Sequence, residues 1–308
     1  IAMAPTPERW RLLFTLRDTA AATTAAYARG IPREAVRVEL GPAHARRPHA
    51  ELDATIDSTW DKRVSANPRV YDAPKYRLAG ALPLRADDHG TARPVACALK
   101  LGITGYKEYL GTHTAAHLGR LMDDGRVAHG DENAHLSCAL GVETVLMTRD
   151  AHVVMLRRSM AVATHGGLYN GPSGHPEPAH AEGGLNSTPA AALAEVFGSV
   201  TAETIEETGV RAEELSEPLL IGCMVDGRLK PDLLFVSETP LSADEVVARF
   251  RAGAPDAWES SGLVAVPPDG SGGWDCAALG LELTAVTQAA MECMRVRAEL
   301  IAASVPAG

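Results

Sequence analysis

The segment Val200-Thr-Ala-Glu203-Thr-Ile-Glu206-Glu207-Thr-Gly209-Val210 carries most of the information about the fold and function of this chain. Its glutamates are spaced by three and four residues, so on an α-helix they lie along one face. Apolar residues at helical spacing predict the buried stripe of the same helix, and Glu207 lies nearly within it. The stripe consists of Leu193, Val196, Phe197, Val200 and Thr204.

This carboxylate cluster is unfavourable without a counter-charge. Like charges three or four residues apart on a helix repel by roughly 0.2–0.5 kcal/mol per pair. Glu206 and Glu207 also lie in the last turn before Gly209, where the helix dipole disfavours an anion by roughly 0.3–1 kcal/mol. A Mg²⁺ ion, which binds carboxylates, waters and substrate phosphates, would offset these penalties. Spacing alone leaves two interpretations open, a solvated acidic face and a metal site.

The sequence around this helix predicts an α/β fold. Thr188 as N-cap, Pro189 at the first helical position and Gly209 after the last turn mark the helix ends. An Asp226-Gly227 turn typical of hairpins joins two of the predicted strands. Strands are predicted at 142–148, 152–157, 218–225, 232–237 and 262–266, further helices at 242–252 and 281–304, and a glycine- and proline-rich loop at 166–186. This order predicts a sheet with helices on both faces.

The first part of the chain has a different pattern, in which short strands alternate with helices. Strands are predicted at 75–84 and 93–101, and helices at 34–40, 50–67 and 114–123. We therefore predict two domains, an α+β domain over residues 1–135 and the α/β domain over residues 136–308.

Composition excludes several classes of function. The net charge of −10 over 308 residues argues against wide contact with a nucleic-acid backbone. The five cysteines are widely spaced and lack a Cys-x-x-Cys pair, so they indicate neither a disulfide framework nor a zinc site. No segment has the length of a membrane span, and no secretion signal is evident. We expect a cytoplasmic protein with a small-molecule partner, and a metal would supply the charge to bind an anionic substrate.

Five distinctive segments occur in this order along the chain: Trp60-Asp-Lys-Arg63, Tyr71-Asp-Ala-Pro-Lys75-Tyr-Arg-Leu78, Leu101-Gly-Ile-Thr-Gly-Tyr106-Lys-Glu-Tyr109-Leu-Gly-Thr112, Gly174-His-Pro-Glu-Pro178 and Trp258-Glu259-Ser-Ser-Gly262. Together they resemble the uridine diphosphate glucose pyrophosphatase branch of the Nudix hydrolase superfamily. In addition, Glu203 to Val210 is similar to the second half of the Nudix box, Arg-Glu-apolar-x-Glu-Glu-x-Gly-apolar. Ala202 replaces the box arginine, and Thr204 replaces an aliphatic residue.

The resemblance implies a Nudix α/β/α sandwich with a mixed sheet, preceded by the smaller α+β domain. It also implies Mg²⁺-dependent hydrolysis of UDP-glucose or UDP-galactose to UMP and hexose 1-phosphate, with Mn²⁺ as a substitute ion. By motif position, Glu203, Glu206 and Glu207 are the implied metal ligands and catalytic residues. A water activated by the metal would attack one phosphorus, and one of these glutamates or Glu259 would accept its proton. What orients Glu203 in the absence of the box arginine stays open.

Candidates for substrate binding are Tyr106, Lys107, Tyr109, Arg157, His175 and Glu259. The two tyrosines would stack on a base and Lys107 would hold a phosphate, or this segment packs between the domains. Of Arg157 and Arg158, one would bind phosphate and the other is a surface charge.

Three histidines have alternative interpretations. His175 either stabilises a turn or contacts the substrate. His113 and His117 are four residues apart, which suits a metal-ligand pair on a helix, although a polar helix start is the favoured interpretation.

Two other functions fit the same motifs. The first is a Nudix enzyme for another dinucleotide, such as ADP-ribose or NADH. The second is a catalytically silent Nudix domain that binds a nucleotide sugar as a sensor. All three box glutamates are retained, which disfavours the sensor because a silent domain has little reason to keep a repulsive cluster.

Overall fold

The structure, a computed structural model, describes residues 10–19, 27–67, 70–85, 95–160, 166–255, 260–270 and 273–304. The strands are β1 Trp10–Thr15, β2 Val36–Leu40, β3 Pro74–Pro83, β4 Cys97–Gly105, β5 Gly141–Met147, β6 Val153–Arg158, β7 Tyr169–Asn170, β8 Ser173–Gly174, β9 Leu219–Asp226, β10 Pro231–Glu238 and β11 Ser260–Val266. The helices are α1 Ala54–Ala66, α2 Tyr106–His113, α3 Leu118–His129, α4 Pro189–Thr208, α5 Ala243–Gly253 and α6 Ala285–Ser304. None of the helices in these ranges combines the length and apolar character that a membrane span requires.

The strands form two sheets. The larger has the order β1-β9-β10-β5-β6-β11, with β7 paired to β6 and β8 paired to β5. Strands β5 and β10 are parallel and the other neighbours are antiparallel, so the predicted mixed sheet is confirmed. The second sheet has the order β2-β4-β3.

Helix α4 begins and ends where the sequence predicts. The Thr188 hydroxyl accepts a hydrogen bond from the Ala191 N–H at 3.2 Å, which satisfies a donor that the first helical turn leaves free. Gly209 follows the helix with φ of +74°, a left-handed conformation that favours glycine. The predicted apolar stripe is buried except for Leu193, which is half-buried. The ring of Phe197 packs edge-on against Phe235 of β10, with ring centroids 5.1 Å apart.

One hydrophobic core cluster includes side chains from both sheets and from α4 and α6. The smaller sheet contributes its inner face, which includes Val38, Tyr76 and Leu99. Strand β1, from the start of the chain, lies in the larger sheet beside β9. Packing therefore continues across residues 135 and 136, and the division into domains at that point stays a prediction.

Two elements of the first part differ from the sequence prediction. The helix predicted at 34–40 is wrong, because a short 3-10 turn at Arg33–Ala35 leads into strand β2. Its sequence, Val-Arg-Val-Glu-Leu, alternates apolar and polar residues, which is the strand period. The helix predicted at 114–123 is divided differently, since α2 ends at His113 and α3 begins at Leu118. The loop predicted at 166–186 also contains the short strands β7 and β8.

Candidate active site

The three box glutamates share one helix, as predicted, but differ in exposure. Glu207 is buried with 5% of its surface exposed, Glu203 is half-buried and Glu206 is exposed. Glu207 lies in the last full turn of α4, near the negative end of the helix dipole. Burial and position both disfavour an isolated carboxylate at Glu207, so this helix end is suited to a cationic ligand.

Strand β8 lies directly against Glu203. A Cβ atom on Gly174 would lie 1.6 Å from the Oε1 atom of Glu203, so the approach requires a residue without a side chain. Gly174 opens the Gly174-His-Pro-Glu-Pro178 segment, whose spacing from the helix is irregular for a Nudix box. Tertiary structure brings this segment to the box glutamates despite that spacing.

Strands β5 and β6 of the larger sheet separate beside Gly174. Strands β5 and β6 pair only between Met147 and Val153, and β8 and β7 then pair with β5 and β6. Val142 pairs with Gly174, which contacts Glu203 on α4. The next residue, Glu143, points to the opposite face of the strand, towards Thr287 of α6. The opening therefore has acidic groups on both faces of the sheet.

Glu143 is a carboxylic acid enclosed within the protein, with 1% of its surface exposed. Within the described ranges, neither carboxyl oxygen makes a hydrogen bond of normal geometry. Burial raises the pKa of Glu143 to about 8. The nearby Thr287 hydroxyl lowers this pKa, and the negative charge of Asp232 raises it. At neutral pH Glu143 is therefore mainly protonated and able to donate a hydrogen bond.

Three cationic side chains surround the same opening. The pKa of His175 is lowered well below its usual value, first by burial and then by the positive charges of Lys230, Lys75 and Arg158. The charge of Arg158 also acts on Glu143. A neutral imidazole beside three cations is an environment suited to the phosphates of an anionic substrate.

The two lysines are held by carboxylates. Lys75 forms an ion pair with Glu177, and both side chains are largely buried. The Lys230 ammonium lies 2.5 Å from Asp232. Each lysine is therefore held in place before any substrate arrives.

The predicted aromatic segment lies on α2. The rings of Tyr106 and Tyr109 stack with centroids 6.0 Å apart, and Trp60 meets Tyr106 edge-on. The Lys107 ammonium lies 2.5 Å from Asp57. Burial raises the pKa of Tyr109, and the charges of Asp226 and Asp232 raise it further. Asp226 and Asp232 belong to the larger sheet, so Tyr109 lies within reach of its charges. Substrate binding by any of these residues stays a prediction.

The structure distinguishes the two neighbouring arginines. Arg157 is exposed, whereas Arg158 is half-buried and its charge acts on Glu143 and His175. This arrangement favours Arg158 over the predicted Arg157 for phosphate binding. Glu259 lies outside the described residues.

His113 and His117 are engaged in structural contacts. The Nδ1 atom of His113 donates to the Arg228 carbonyl at 2.7 Å, and its Nε2 atom accepts from the Cys138 N–H at 2.8 Å. Burial lowers the pKa of His113 to about 4. His117 precedes α3 and lies 3.4 Å from the Thr55 hydroxyl. The favoured interpretation, a polar helix start, fits His117, which is the N-cap of α3, but is wrong for His113, which is the last residue of α2.

Among the described residues, no three histidine, cysteine or acidic side chains form a group that could hold a metal ion. The acids are divided between α4, which carries Glu203 and Glu207, and the face of the sheet that carries Glu143. Because Mg²⁺ takes only one or two carboxylates and completes its shell with waters and substrate phosphates, the oxygen donors of α4 still fit such an ion.

Sequence reasoning did not single out Glu143, Asp232 or Lys230. The signal for Glu143 was a charged residue in the otherwise apolar run Val142-Glu-Thr-Val-Leu-Met147. Asp232 begins the apolar run of β10 and has 7% of its surface exposed. An ionisable residue inside a strand that is buried on both faces indicates a paired or functional group.

Comparisons with known proteins identify the family. The chain is 36% identical over 244 residues to "Uridine diphosphate glucose pyrophosphatase NUDT22" of Mus musculus, covering 77% of this chain and 78% of that protein. The Homo sapiens protein of the same name is 36% identical over 243 residues, covering 76% and 78%. "Nudix hydrolase 9" of Arabidopsis thaliana is 30% identical over 259 residues, covering 78% and 80%.

Other comparisons add little to the sequence relatives. No protein-family model matches the chain. A solved MutT protein from Methanosarcina mazei Go1 aligns with 52% of this chain and 92% of its own, at 17% identity and a TM-score of 0.31. That likeness is too weak to carry an argument. On the sequence relatives, the chain belongs to the Nudix hydrolases, in the branch of the uridine diphosphate glucose pyrophosphatases.

Proposed function

We propose that this hydrolase cleaves the pyrophosphate bond of a nucleotide sugar, UDP-glucose or UDP-galactose, to UMP and a hexose 1-phosphate. The observation that carries the proposal is the 36% identity, over 77% of the chain, to a protein named for UDP-glucose pyrophosphatase activity. The retention of all three box glutamates on α4 supports it.

Mg²⁺, with Mn²⁺ as a substitute, is the proposed cofactor, and Glu203, Glu206 and Glu207 would hold it. Support comes from the oxygen donors on one helix face and from the buried Glu207 at the negative helix end. When bound, such an ion neutralises pyrophosphate charge and lowers the pKa of a coordinated water. Nudix hydrolases generally use divalent metal ions.

The chain's own residues would bind and orient the substrate. Lys75, Lys230 and Arg158 offer positive charge at the opening between β5 and β6. A bound pyrophosphate would replace the carboxylates of Glu177 and Asp232 as the ion-pair partners of the two lysines. Tyr109, whose pKa is raised by burial and by the charges of Asp226 and Asp232, would stack on the base.

A cytoplasmic location is part of the proposal. All five cysteines are free and buried. The pKa values of the Cys97 and Cys138 thiols are raised to about 12 by burial. Unpaired thiols suit a reducing compartment.

The test is turnover of UDP-glucose, UDP-galactose, ADP-ribose and NADH with Mg²⁺, with chromatographic detection of UMP and hexose 1-phosphate. EDTA removes the metal, and Glu207→Gln removes one carboxylate charge without changing its shape. Glu213→Gln is the matched control, because Glu213 is exposed and follows α4.

We expect release of UMP from the two UDP-sugars that stops with EDTA and falls at least about 100-fold in Glu207→Gln, as for loss of a group that stabilises transition-state charge. Glu213→Gln should match the wild-type protein. Preference for ADP-ribose or NADH would refute the substrate assignment. Undiminished turnover in EDTA would refute the metal.

A further inference from the structure

A pocket lies on the outer face of the three-stranded sheet. Its volume is about 300 Å³. Arg77 and Ala79 of β3, Lys100 of β4, and the segment that includes His44 and Arg47 form much of its wall. Among the described residues that line it, three are arginine or lysine and one, Asp131, is acidic.

This pocket is separate from the candidate active site. In β3, Tyr76 and Leu78 belong to the core shared with α4, so Arg77 between them points to the other face of the sheet. In β4, Leu99 and Leu101 belong to the same core, and Lys100 likewise points outwards. The sheet itself therefore lies between the pocket and α4.

Arg77 is a buried cation whose described partners are all neutral. It has 2% of its surface exposed. Its Nε, Nη1 and Nη2 atoms donate to the carbonyls of Leu136, His44 and Asn133 at 3.1, 3.0 and 2.7 Å. A guanidinium has five N–H donors, so two remain for a ligand. Because no described carboxylate forms an ion pair with Arg77, an anion in the pocket would offset the cost of burying its charge.

The other two cations at the pocket are also available. Within the part of the chain that the structure describes, the side chains of Arg47 and Lys100 form no hydrogen bond or ion pair. Asp131 accepts a hydrogen bond from the Asn133 N–H at 2.9 Å. The pocket therefore carries an excess of positive charge, although the whole chain has a net charge of −10.

We propose that this pocket binds inorganic phosphate or a small phosphate monoester, as an anion site distinct from the hydrolase site. Arginine presents paired N–H donors that match phosphate oxygens, and lysine adds a mobile positive charge. The fixed guanidinium of Arg77 forms the floor of the site. Arg47 and Lys100 contact the anion from the rim.

The test is a calorimetric titration of the full-length protein with inorganic phosphate, at low ionic strength and in EDTA. EDTA prevents binding through a metal at the box glutamates. The pocket variant is Arg47→Gln with Lys100→Gln, and the matched control is Arg37→Gln with Arg120→Gln. Arg37 and Arg120 are exposed arginines outside the pocket, each paired with a glutamate. Both variants remove two positive charges, and thermal unfolding checks that both are folded.

We expect phosphate affinity to fall about tenfold or more in the pocket variant, as for loss of charge-assisted hydrogen bonds, and to stay within about twofold in the control. In the wild-type protein, phosphate should also shift the Arg77 Nε–H resonance in a ¹⁵N spectrum. Equal weakening in both variants would indicate general electrostatic attraction and overturn the proposal. Absence of binding at millimolar phosphate, or an unmoved Arg77 resonance, would overturn it as well.

Discussion

Replacement of Gly174 by alanine should separate catalysis from stability. The added Cβ would lie 1.6 Å from Oε1, 2.1 Å from Cδ and 2.8 Å from Cγ of Glu203. An ordinary contact is 3.4–4 Å, so the carboxylate must retreat by about 2 Å. Gly174 is not among the glycines with positive φ, so alanine fits the backbone there.

The expected magnitudes follow from which atoms must move. The obstructing atoms are the end of a flexible side chain, so a rotamer change should limit the loss of stability to about 0.5–1.5 kcal/mol. A catalytic group displaced by about 1 Å can lower the rate about 100-fold, which corresponds to roughly 2.7 kcal/mol of transition-state stabilisation. We therefore expect kcat/KM for UDP-glucose to fall about 100-fold in Gly174→Ala, with little change in the midpoint of thermal unfolding.

The matched control is Gly262→Ala, since a Cβ at that strand position meets no atom within 4 Å. It should leave both kcat/KM and thermal unfolding unchanged. A double-mutant cycle then tests the cause. If Gly174→Ala acts through Glu203, it should add little in a Glu203→Ala background, because the displaced carboxylate is already absent. A full 100-fold loss in that background would show that Gly174→Ala does not act through Glu203. Wild-type kcat/KM in Gly174→Ala alone would show that the position of the Glu203 carboxylate does not limit catalysis.

Three further predictions concern stability. The pKa of Glu143 rises from 4.5 to about 8 on folding, so between these pH values the folded state binds more protons than the unfolded state. The free energy of unfolding should therefore fall as the pH rises from 4.5 to 8. Glu143→Gln should remove this decrease, which urea unfolding at pH 5 and pH 8.5 would measure. An equal decrease in unfolding free energy in the wild-type protein and the variant would contradict the prediction. The pKa of His113 falls from 6.5 to about 4, so its contribution is present above pH 6.5 and lost towards pH 4. His113→Asn should therefore lower the unfolding free energy by roughly 1–3 kcal/mol at pH 7.5, and by less at pH 4.5; a constant difference would argue against the assignment. Thr188→Ala should lower the unfolding free energy by about 1 kcal/mol through loss of the α4 N-cap, and an unchanged midpoint in thermal denaturation would show that the cap contributes nothing.

Features with local signals were predictable from the chain alone. Thr188, Pro189 and Gly209 mark the ends of α4, and the helical period places the box glutamates on one face. A hairpin turn after Asp226, between β9 and β10, was also predictable, although the left-handed conformation lies at Leu229 and not at Gly227. In each case residues close in sequence determine the backbone conformation, through capping, ring constraint or turn geometry.

Short segments with competing signals were less predictable. Residues 34–40 contain enough helix-forming residues to suggest a helix, but the alternation in Val36–Leu40 fits a strand that packs one face on the core. Strand β1 has no long pattern of its own and owes its conformation to pairing with β9. Strand pairing over long sequence separations overrides weak local preference.

The sequence pattern alone determined a sheet with helices on both faces and the helix that carries Glu203, Glu206 and Glu207, because periodic apolar residues and helix caps act locally. The mixed sheet was implied by the family resemblance. Only the tertiary structure brought Gly174 against Glu203, placed Glu143 between β5 and α6, and set three cations around His175. These groups come from strands far apart in the chain. Burial and electrostatic interaction depend on distances in space, so their protonation and charge environment follow from packing.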